Sequence, residues 1–281
     1  MERPSPSDVL TARVRSLASV LPAHAVFAER TAAWLWGVDA SSMGVGRADR
    51  PIELAVPAGR ASPDIPGCRT RGGHLPAEDV TYLDGVRVTT RERTALDCAR
   101  WLPRLEAIAA LDQFLRAGTD AALLRRRMRL LTGETHARRL REVLTLADAG
   151  AMLPGETYTR IRVMDAGLPR PRTQIPVPSS GRPRFFLDMG YEDHLTAVEY
   201  DGEEFHTARA HCRRDAARRT WIREHHGWEI IVVTKEDVLF NPAPFLETLT
   251  TILMHRGWSP APARLDRIAA KLTRLRRHRP P

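Results

Sequence analysis

The stretch that decides the fold of the second half of the chain is RFFLDMGYEDHLTAVEYDGEEFHT, residues 184–207. Two mostly apolar runs, 184–190 and 194–201, are separated by a short polar segment. Two such runs joined by a short loop are typical of an antiparallel hairpin. The sequence therefore predicts two neighbouring strands here.

Acidic side chains interrupt both runs of this predicted hairpin. Asp188 lies in the first run, and Glu199 and Asp201 lie in the second. Residues two apart on a strand share a face, and the hairpin can bring Asp188 beside that face. Carboxylates so close together raise each other's pKa or require a divalent cation, and oxygen ligands suit Mg²⁺ or Mn²⁺. The pattern predicts a catalytic centre with these three acids as metal ligands; the alternative is that they lie on a solvated face or pair with nearby arginines.

Two further residues are candidates for the same centre. His206 follows Asp201 by five positions and could activate a water or protonate a leaving oxygen at neutral pH. Its alternative role is a local hydrogen bond at a helix N-terminus. Glu156 lies in the first turn of a predicted helix, where a carboxylate is also favourable to the helix dipole without any other role.

The helix predicted over 207–226 is rich in arginine, with basic side chains recurring at intervals of four and five. It follows the acidic centre in the chain, so a basic stripe on it could hold a phosphate backbone. The alternative is an ordinary solvated face, and for the lysine a role at the end of a strand. The predicted nucleic-acid contacts are Arg209, Arg213, Arg214, Arg218 and Lys235.

The hydrophobic pattern of the second half predicts an α/β domain over residues 151–258. Its elements are a helix, a three-strand meander, a helix, a strand and a helix. They are predicted at 156–166, 173–177, 184–190, 194–201, 207–226, 229–234 and 243–254. The remaining residues, 259–281, form a basic Pro- and Arg-rich segment that we expect to be a solvated tail or, alternatively, a nonspecific phosphate grip.

The first half, residues 1–150, has an α+β pattern with strands in the middle and helices behind. Apolar periodicity predicts helix over 8–36 with a break at Pro22. Thr89 and Glu92 have capping-box spacing at the start of the next helix. Short strands are predicted at 51–57 and within 67–90, and helices at 105–115, 121–131 and 137–149.

Composition limits the classes of function. The chain has 281 residues, a net charge of +9 and lysine only at Lys235 and Lys271. An arginine-rich positive chain suits a polyanionic partner, although a GC-rich coding bias also replaces lysine with arginine. Three scattered cysteines exclude a disulfide framework and a Cys-rich zinc site, and they fit a reducing cytosol. No apolar run approaches the ~20 residues of a membrane helix, so we expect a cytoplasmic protein without membrane contact.

Residues of the second half resemble the DUF559 group, which is related to the very-short-patch repair endonucleases of the PD-(D/E)XK nuclease superfamily. The likeness covers about residues 154–240. It is carried by DAGLPRPRTQIPV (165–177), the hairpin quoted above and RRDAARRTWIREHHGWEIIVVTKEDV (213–238). It implies a restriction-endonuclease-like fold and metal-dependent cleavage of DNA, in DNA repair or phage defence.

The resemblance also implies roles for individual residues. Asp188 would be the strand acid of the nuclease core, Glu199 and Asp201 would take the places of the E-x-K pair, and Glu156 would match the helix glutamate. His206 would match the histidine of the repair enzymes. Asp201 stands where many members of the superfamily have lysine, and this departure shifts the role of general base to His206.

The first half resembles the N-terminal part of actinobacterial proteins related to abortive-infection antitoxins. The likeness is carried by RTAAWLWGV (30–38), PIELAVPAGR (51–60) and GVRVTTRERTALDCAR (85–100). It implies a winged-helix-like or α+β module that binds DNA or a protein partner.

These observations favour two functions. The first is a Mg²⁺- or Mn²⁺-dependent DNA endonuclease. The alternative is a non-catalytic DNA-binding regulator or antitoxin-like protein with an inactive nuclease fold, which an arginine clamp at the meeting point of the acids would favour. A zinc or redox enzyme is disfavoured because His211 and Cys212 are adjacent and no CxxC motif occurs.

Overall fold

The computed structural model describes residues 6–41, 50–130, 134–179, 182–202 and 209–277. The chain divides into two compact units, Met1–Ala149 and Gly150–Pro281. Each unit contains its own mixed sheet and its own helices, so each is described by itself.

The first unit is an α+β structure built on a five-stranded sheet with the order β3-β2-β1-β5-β4. Strands β1 and β5 are parallel, as are β2 and β3, whereas β1–β2 and β4–β5 are antiparallel. Its elements are α1 (Pro6–Ala18), β1 (Val26–Phe27), α2 (Glu29–Leu35), β2 (Ile52–Pro57), β3 (Cys68–Gly73), β4 (Val80–Leu83), β5 (Val86–Thr89), α3 (Arg91–Trp101), α4 (Arg104–Arg116), α5 (Ala121–Leu130) and α6 (Glu134–Leu146).

The core of the first unit corrects one prediction from the periodicity. Helix was predicted over 8–36 with a break at Pro22, but Val26 and Phe27 form the central strand β1 of the sheet. Both side chains are almost fully buried, and Phe27 packs in a cluster with Ile52 and Leu54. A buried two-residue strand is too short to show a period of two, so tertiary packing decides its conformation.

Helix α3 begins one residue later than the predicted capping spacing. The side chain of Thr90, not that of Thr89, accepts the N–H of Arg93 at 3.3 Å. Thr89 is instead buried, and its hydroxyl lies 2.7 Å from that of Thr94. The helix that the sequence predicted is therefore present with a shifted N-cap.

The second unit contains a four-stranded sheet with the order β6-β7-β8-β9. The first three strands form an antiparallel meander, and β9 pairs parallel to β8. The unit is mixed α/β, in the predicted order of helix, three strands, helix, strand and helix, with an additional short helix α9. Its elements are α7 (Pro154–Ala166), β6 (Arg172–Ser179), β7 (Arg182–Tyr191), β8 (Thr196–Asp201), α8 (Arg209–His226), β9 (Glu229–Thr234), α9 (Lys235–Leu239), α10 (Ala243–His255) and α11 (Pro262–Arg277).

Two glycines permit close packing around this sheet. A Cβ added at Gly190 would lie 2.4 Å from the carbonyl oxygen of Thr196 on the neighbouring strand. A Cβ at Gly155 would lie 2.2 Å from the ring of Tyr200, so the N-terminus of α7 can press onto β8 only because position 155 lacks a side chain. This contact positions α7 against the strand that carries the predicted acids.

The predicted solvated tail is wrong for much of its length. Residues Pro262–Arg277 form helix α11, in which Ile268 and Leu272 are buried. These two residues are four apart and share one helical face, while the arginines occupy the remainder of the helix. A narrow apolar stripe within a basic sequence is therefore enough to dock this segment on the second unit.

Within the described ranges, no helix combines the length and the apolar character needed to span a bilayer.

Candidate functional site

The three predicted acids of the hairpin line one pocket of the second unit. The pocket has a volume of about 170 Å³. We call it the acid pocket, defined by Asp188, Glu199, Asp201, Asp215, Arg218 and Arg219. Strands β7 and β8 supply the first three side chains, and helix α8 supplies the last three.

Strand register explains why the acids meet. Met189 pairs with Val198 in the antiparallel ladder of β7 and β8, so the next step of the same register places Asp188 at the level of Glu199. One carboxylate oxygen of Asp188 accepts the backbone N–H of Tyr200 at 2.8 Å. The predicted proximity of the hairpin acids thus follows from strand geometry.

An arginine on α8 binds Glu199 with both arms of its guanidinium. The Nη1 and Nη2 atoms of Arg218 donate to the two carboxylate oxygens of Glu199 at 2.9 and 2.8 Å. Glu199 is 3 % exposed, so this fork-to-fork pair lies largely out of water. The Nε of Arg219 lies 3.3 Å from the same carboxylate, and its Nη2 lies 3.8 Å from Asp201. Two guanidiniums therefore occupy the position where the acids converge.

The carboxyl group of Asp188 differs from an ordinary aspartate. Burial and, to a smaller extent, the neighbouring carboxylate of Glu199 raise its pKa, which is about 6. The N–H of Tyr200 and the two guanidiniums act in the opposite direction, but they do not offset the loss of hydration. Asp188 consequently changes charge close to neutral pH.

The donor set of the acid pocket does not fit a bound Mg²⁺ or Mn²⁺ in this conformation. Both oxygens of Glu199 already accept hydrogen bonds from Arg218, and one oxygen of Asp188 accepts the Tyr200 N–H. Among the residues that the structure describes, no group of three or more His, Cys, Asp or Glu side chains is arranged to hold a metal ion. A cation would have to displace a guanidinium that already neutralises the carboxylate. Metal ligation by Asp188, Glu199 and Asp201 stays a prediction.

Glu156 accepts hydrogen bonds from two residues outside the acid pocket. It is 4 % exposed, and its Oε2 accepts the backbone N–H of Met152 at 2.8 Å and the side-chain amide of Gln174 at 3.5 Å. It is not among the described residues that line the acid pocket. These contacts fit the local role at a helix start that the sequence left open.

The predicted phosphate-binding residues do not form one group. Arg213 and Arg214 are exposed on α8, whereas Arg218 is turned toward Glu199. Lys235 is the first residue of α9, directly after the N-cap Thr234. Of the remaining predictions, His206 lies outside the described residues, and so does the side chain of Arg209.

The sequence predicts Arg218 as part of a basic stripe on this helix, to which Arg219 also belongs, and it does not pair either arginine with Glu199. It left open that the acids pair with nearby arginines, but it did not say which ones. A long polar helix following an acid-bearing strand was the available signal. The pairing itself depends on how α8 lies across the sheet, and periodicity does not contain that information.

Comparison with known proteins finds a family for part of the first unit. Residues 24–146 match the family described as the AbiEi antitoxin C-terminal domain. The match supports the antitoxin-like resemblance that the sequence carried in this region. It includes the whole sheet of the first unit and helices α2 to α6.

Two curated relatives span more of the chain. They are Uncharacterized protein Rv2248 of Mycobacterium tuberculosis (strain ATCC 25618 / H37Rv) and Uncharacterized protein MT2308 of the same species (strain CDC 1551 / Oshkosh). Each is 29% identical over 238 residues, which is 83% of this chain and 83% of the relative. An alignment of that length must include parts of both units. No solved structure matches the chain significantly.

Proposed function

We propose that this protein is a DNA-binding regulator of the antitoxin-like type, with a second unit that has a restriction-endonuclease-like fold and does not turn over DNA. The observation that carries the proposal is the match of residues 24–146 to the AbiEi antitoxin C-terminal domain. The antitoxin resemblance implies a module that binds DNA or a protein partner. We place DNA first because the chain carries a net charge of +9.

The Arg218–Glu199 pair supports the proposal that the second unit does not cleave DNA. Metal-dependent phosphodiester cleavage requires carboxylate oxygens that are free to bind the cation. Both Glu199 oxygens are engaged by a bidentate guanidinium, which supplies within the protein the positive charge that a cation would bring. The pair is consistent with a nuclease-like scaffold kept for binding.

Exposed arginines on α8 supply a candidate surface for the phosphate backbone. Arg213 and Arg214 lie on the same helix as Arg218 but are exposed to solvent. Exposed guanidiniums bind phosphate oxygens without reading sequence and give an affinity that falls with salt. The first prediction is that Arg213→Ala and Arg214→Ala each lower the slope of log K against log salt by about 1.

Fluorescence anisotropy on a labelled duplex between about 50 and 200 mM salt measures this slope. Arg172→Ala is the matched control, because it removes an arginine of the same unit that is already paired with Glu192 at 2.5 Å. An equal loss in the control would show that general charge, and not the α8 surface, determines binding. No binding to duplex DNA at low salt would remove the proposal.

The second candidate function is the metal-dependent endonuclease. The observation that favours it is that Asp188, Glu199 and Asp201 line one pocket. A plasmid incubated with the full chain and Mg²⁺ or Mn²⁺, with an EDTA control, separates the two candidates. We expect retarded but uncut plasmid. Metal-dependent nicking that is lost in Asp188→Asn would overturn the regulator in favour of the nuclease.

A further inference from the structure

A second cavity, in the first unit, has a composition that neither proposed function uses. It has a volume of about 320 Å³, which is within the usual range of small-ligand sites. Strands β2 and β3 and the start of α2 form one part of it, and the later turns of α3 form another. We call it the Trp101 cavity, lined by Glu29, Arg71, Arg93, Asp97, Arg100 and Trp101.

Two guanidiniums of the cavity contact the same aromatic ring, that of Trp101. The guanidinium of Arg71 lies 4.2 Å from the centroid of the Trp101 ring, and that of Arg100 lies 4.3 Å from it. A cation–π contact of this kind restrains each guanidinium against the ring and so limits the entropy that either side chain loses when it binds a ligand. The cavity therefore presents two pre-oriented forks.

Most of the charges lining the cavity are paired within the protein. The Nε of Arg71 donates to Glu29 at 2.6 Å, and the Nε of Arg93 donates to Asp97 at 2.8 Å. Arg100 is different: its Nε is buried and, within the described part of the chain, has no hydrogen-bond partner. Three guanidiniums meet two carboxylates, so the lining has one excess positive charge, and it is carried by the arginine with an unused donor.

The pKa directions agree with this charge count. Burial and repulsion from Arg93 and Arg71 lower the pKa of Arg100 more than Asp97 raises it. Burial raises the pKa of Asp97 to about 6, despite its ion pair with Arg93. An anion beside Arg100 would relieve the repulsion among the three guanidiniums.

The backbone at Glu29, another residue that lines the cavity, is strained. Glu29 has a φ of +48°, a region that residues other than glycine rarely adopt, and the residue is 4 % exposed. Its carboxylate is held by Arg69 at 3.0 Å and by Arg71 at 2.6 Å. Strain of this kind persists where surrounding contacts over-determine it, and it clusters at ligand sites. Here it directs a carboxylate onto Arg71 and thereby fixes that fork beside Trp101.

We infer that the Trp101 cavity binds a small phosphate monoester, with the Arg100 guanidinium as its principal contact and Arg71 as a second. A phosphate group offers several acceptor oxygens to two planar forks, which a single carboxylate does not. A volume of about 320 Å³ is large enough for a small molecule that carries a phosphate group. This site is in the first unit and does not depend on DNA binding by α8.

The test uses the full chain with inorganic phosphate and AMP as probes, measured by titration calorimetry. We expect saturable binding of both by the wild type and at least tenfold weaker binding by Arg100→Met, which keeps much of the apolar stem. Arg91→Met is the matched control, because Arg91 also lies over a tryptophan, 5.1 Å from the Trp36 ring, and does not line the cavity. The control should bind as the wild type does.

Three results would overturn the inference. The first is no saturable binding of either probe by the folded wild type, and the second is equal weakening in Arg91→Met. The third is that duplex DNA binds at this cavity, as shown by its loss in Arg100→Met, while neither probe does. Circular dichroism confirms that each variant is folded. If Arg100→Met does not fold, Arg71→Lys replaces it, since lysine keeps the charge and loses the fork. That variant should weaken AMP binding severalfold, and unchanged affinity would contradict the assignment of Arg71.

Discussion

The acid pocket and the Trp101 cavity are made of the same chemistry in opposite proportions. In the acid pocket four carboxylates, Asp188, Glu199, Asp201 and Asp215, meet two guanidiniums. In the Trp101 cavity three guanidiniums meet two carboxylates. Burial raises the pKa of one aspartate to about 6 in each. The difference lies in the arginines: Arg218 hydrogen-bonds Glu199 and the Nε of Arg219 lies 3.3 Å from the same carboxylate, whereas the buried Nε of Arg100 has no hydrogen-bond partner among the described residues.

A cluster of ionisable residues does not by itself identify a ligand. What matters is which group is left without a counter-charge after the protein has made its own pairs. In the acid pocket the arginines take the place of an external cation, and the remaining charge is negative. In the Trp101 cavity the excess is positive, so we expect an anion to bind there, whereas the acid pocket should take up a cation only once a guanidinium has been removed.

The largest expected effect comes from removing the Arg218–Glu199 pair with Arg218→Ala. Removing one partner of a buried ion pair leaves a desolvated charge and commonly costs about 3–5 kcal/mol. Arg219 also approaches Glu199, so we expect about 3 kcal/mol of lost unfolding free energy, measured by denaturant titration. Arg223→Ala on the same helix is the control: Arg223 is exposed, pairs with Glu229 only at 3.9 Å, and should cost less than about 1 kcal/mol.

The same variant tests whether the acids are ready to take a cation. With Arg218 absent, the oxygens of Glu199 lose their bidentate partner, and Mg²⁺ should raise the melting temperature of Arg218→Ala more than that of the wild type. Equal stabilisation of the two proteins would show that the arginine is not what excludes a metal ion from the acid pocket.

The next effect is the pH dependence that Asp188 contributes. Its pKa is raised to about 6 in the folded chain from 3.8, so the native state binds the proton more tightly than the unfolded state between these values. Stability contributed by this group therefore falls as pH rises from about 4 to about 6, by at most about 3 kcal/mol. Asp188→Asn should be the more stable protein at pH 7 and should lose that advantage near pH 4. A gap between the two proteins that does not change with pH would contradict the raised pKa.

The sequence predicts a site well when the residues of that site lie on adjacent elements, and poorly when distant elements bring them together. Asp188, Glu199 and Asp201 were found because strand periodicity and a short loop place them together, and both are visible in adjacent residues. The Trp101 cavity was not predicted, because its lining comes from four elements whose packing no local period encodes. Arg218 was predicted on the correct helix with a different contact, since the sequence does not state how that helix lies across the sheet.

The short and atypical elements were missed for a related reason. Strand β1 has two residues, and helix α11 has a narrow apolar stripe among many arginines. In both, tertiary burial outweighs the local signal. By contrast, β9 and α10 were placed within one residue at each end, because long apolar runs with a clear period and Gly or Pro boundaries are specified locally.

The smallest expected effect is a change in anion binding when the Trp101 cavity loses a carboxylate. Asp97→Asn removes a carboxylate from the Trp101 cavity and frees Arg93 from its 2.8 Å ion pair, although Asp79 still accepts from that guanidinium at 2.7 Å. The excess positive charge of the lining rises by one, so phosphate should bind severalfold more tightly at pH 7.5, where Asp97 is ionised in the wild type. At pH 5 most of the wild-type carboxyl is already protonated, and the two proteins should bind sulfate, whose charge is constant there, with nearly equal affinity.

Calorimetric titration at the two pH values measures this difference in affinity. Asp188→Asn is the control, because it alters an aspartate of similar pKa in the other unit and should leave anion binding unchanged. Weaker phosphate binding by Asp97→Asn at pH 7.5 would mean that the carboxylate positions the guanidiniums instead of only offsetting their charge.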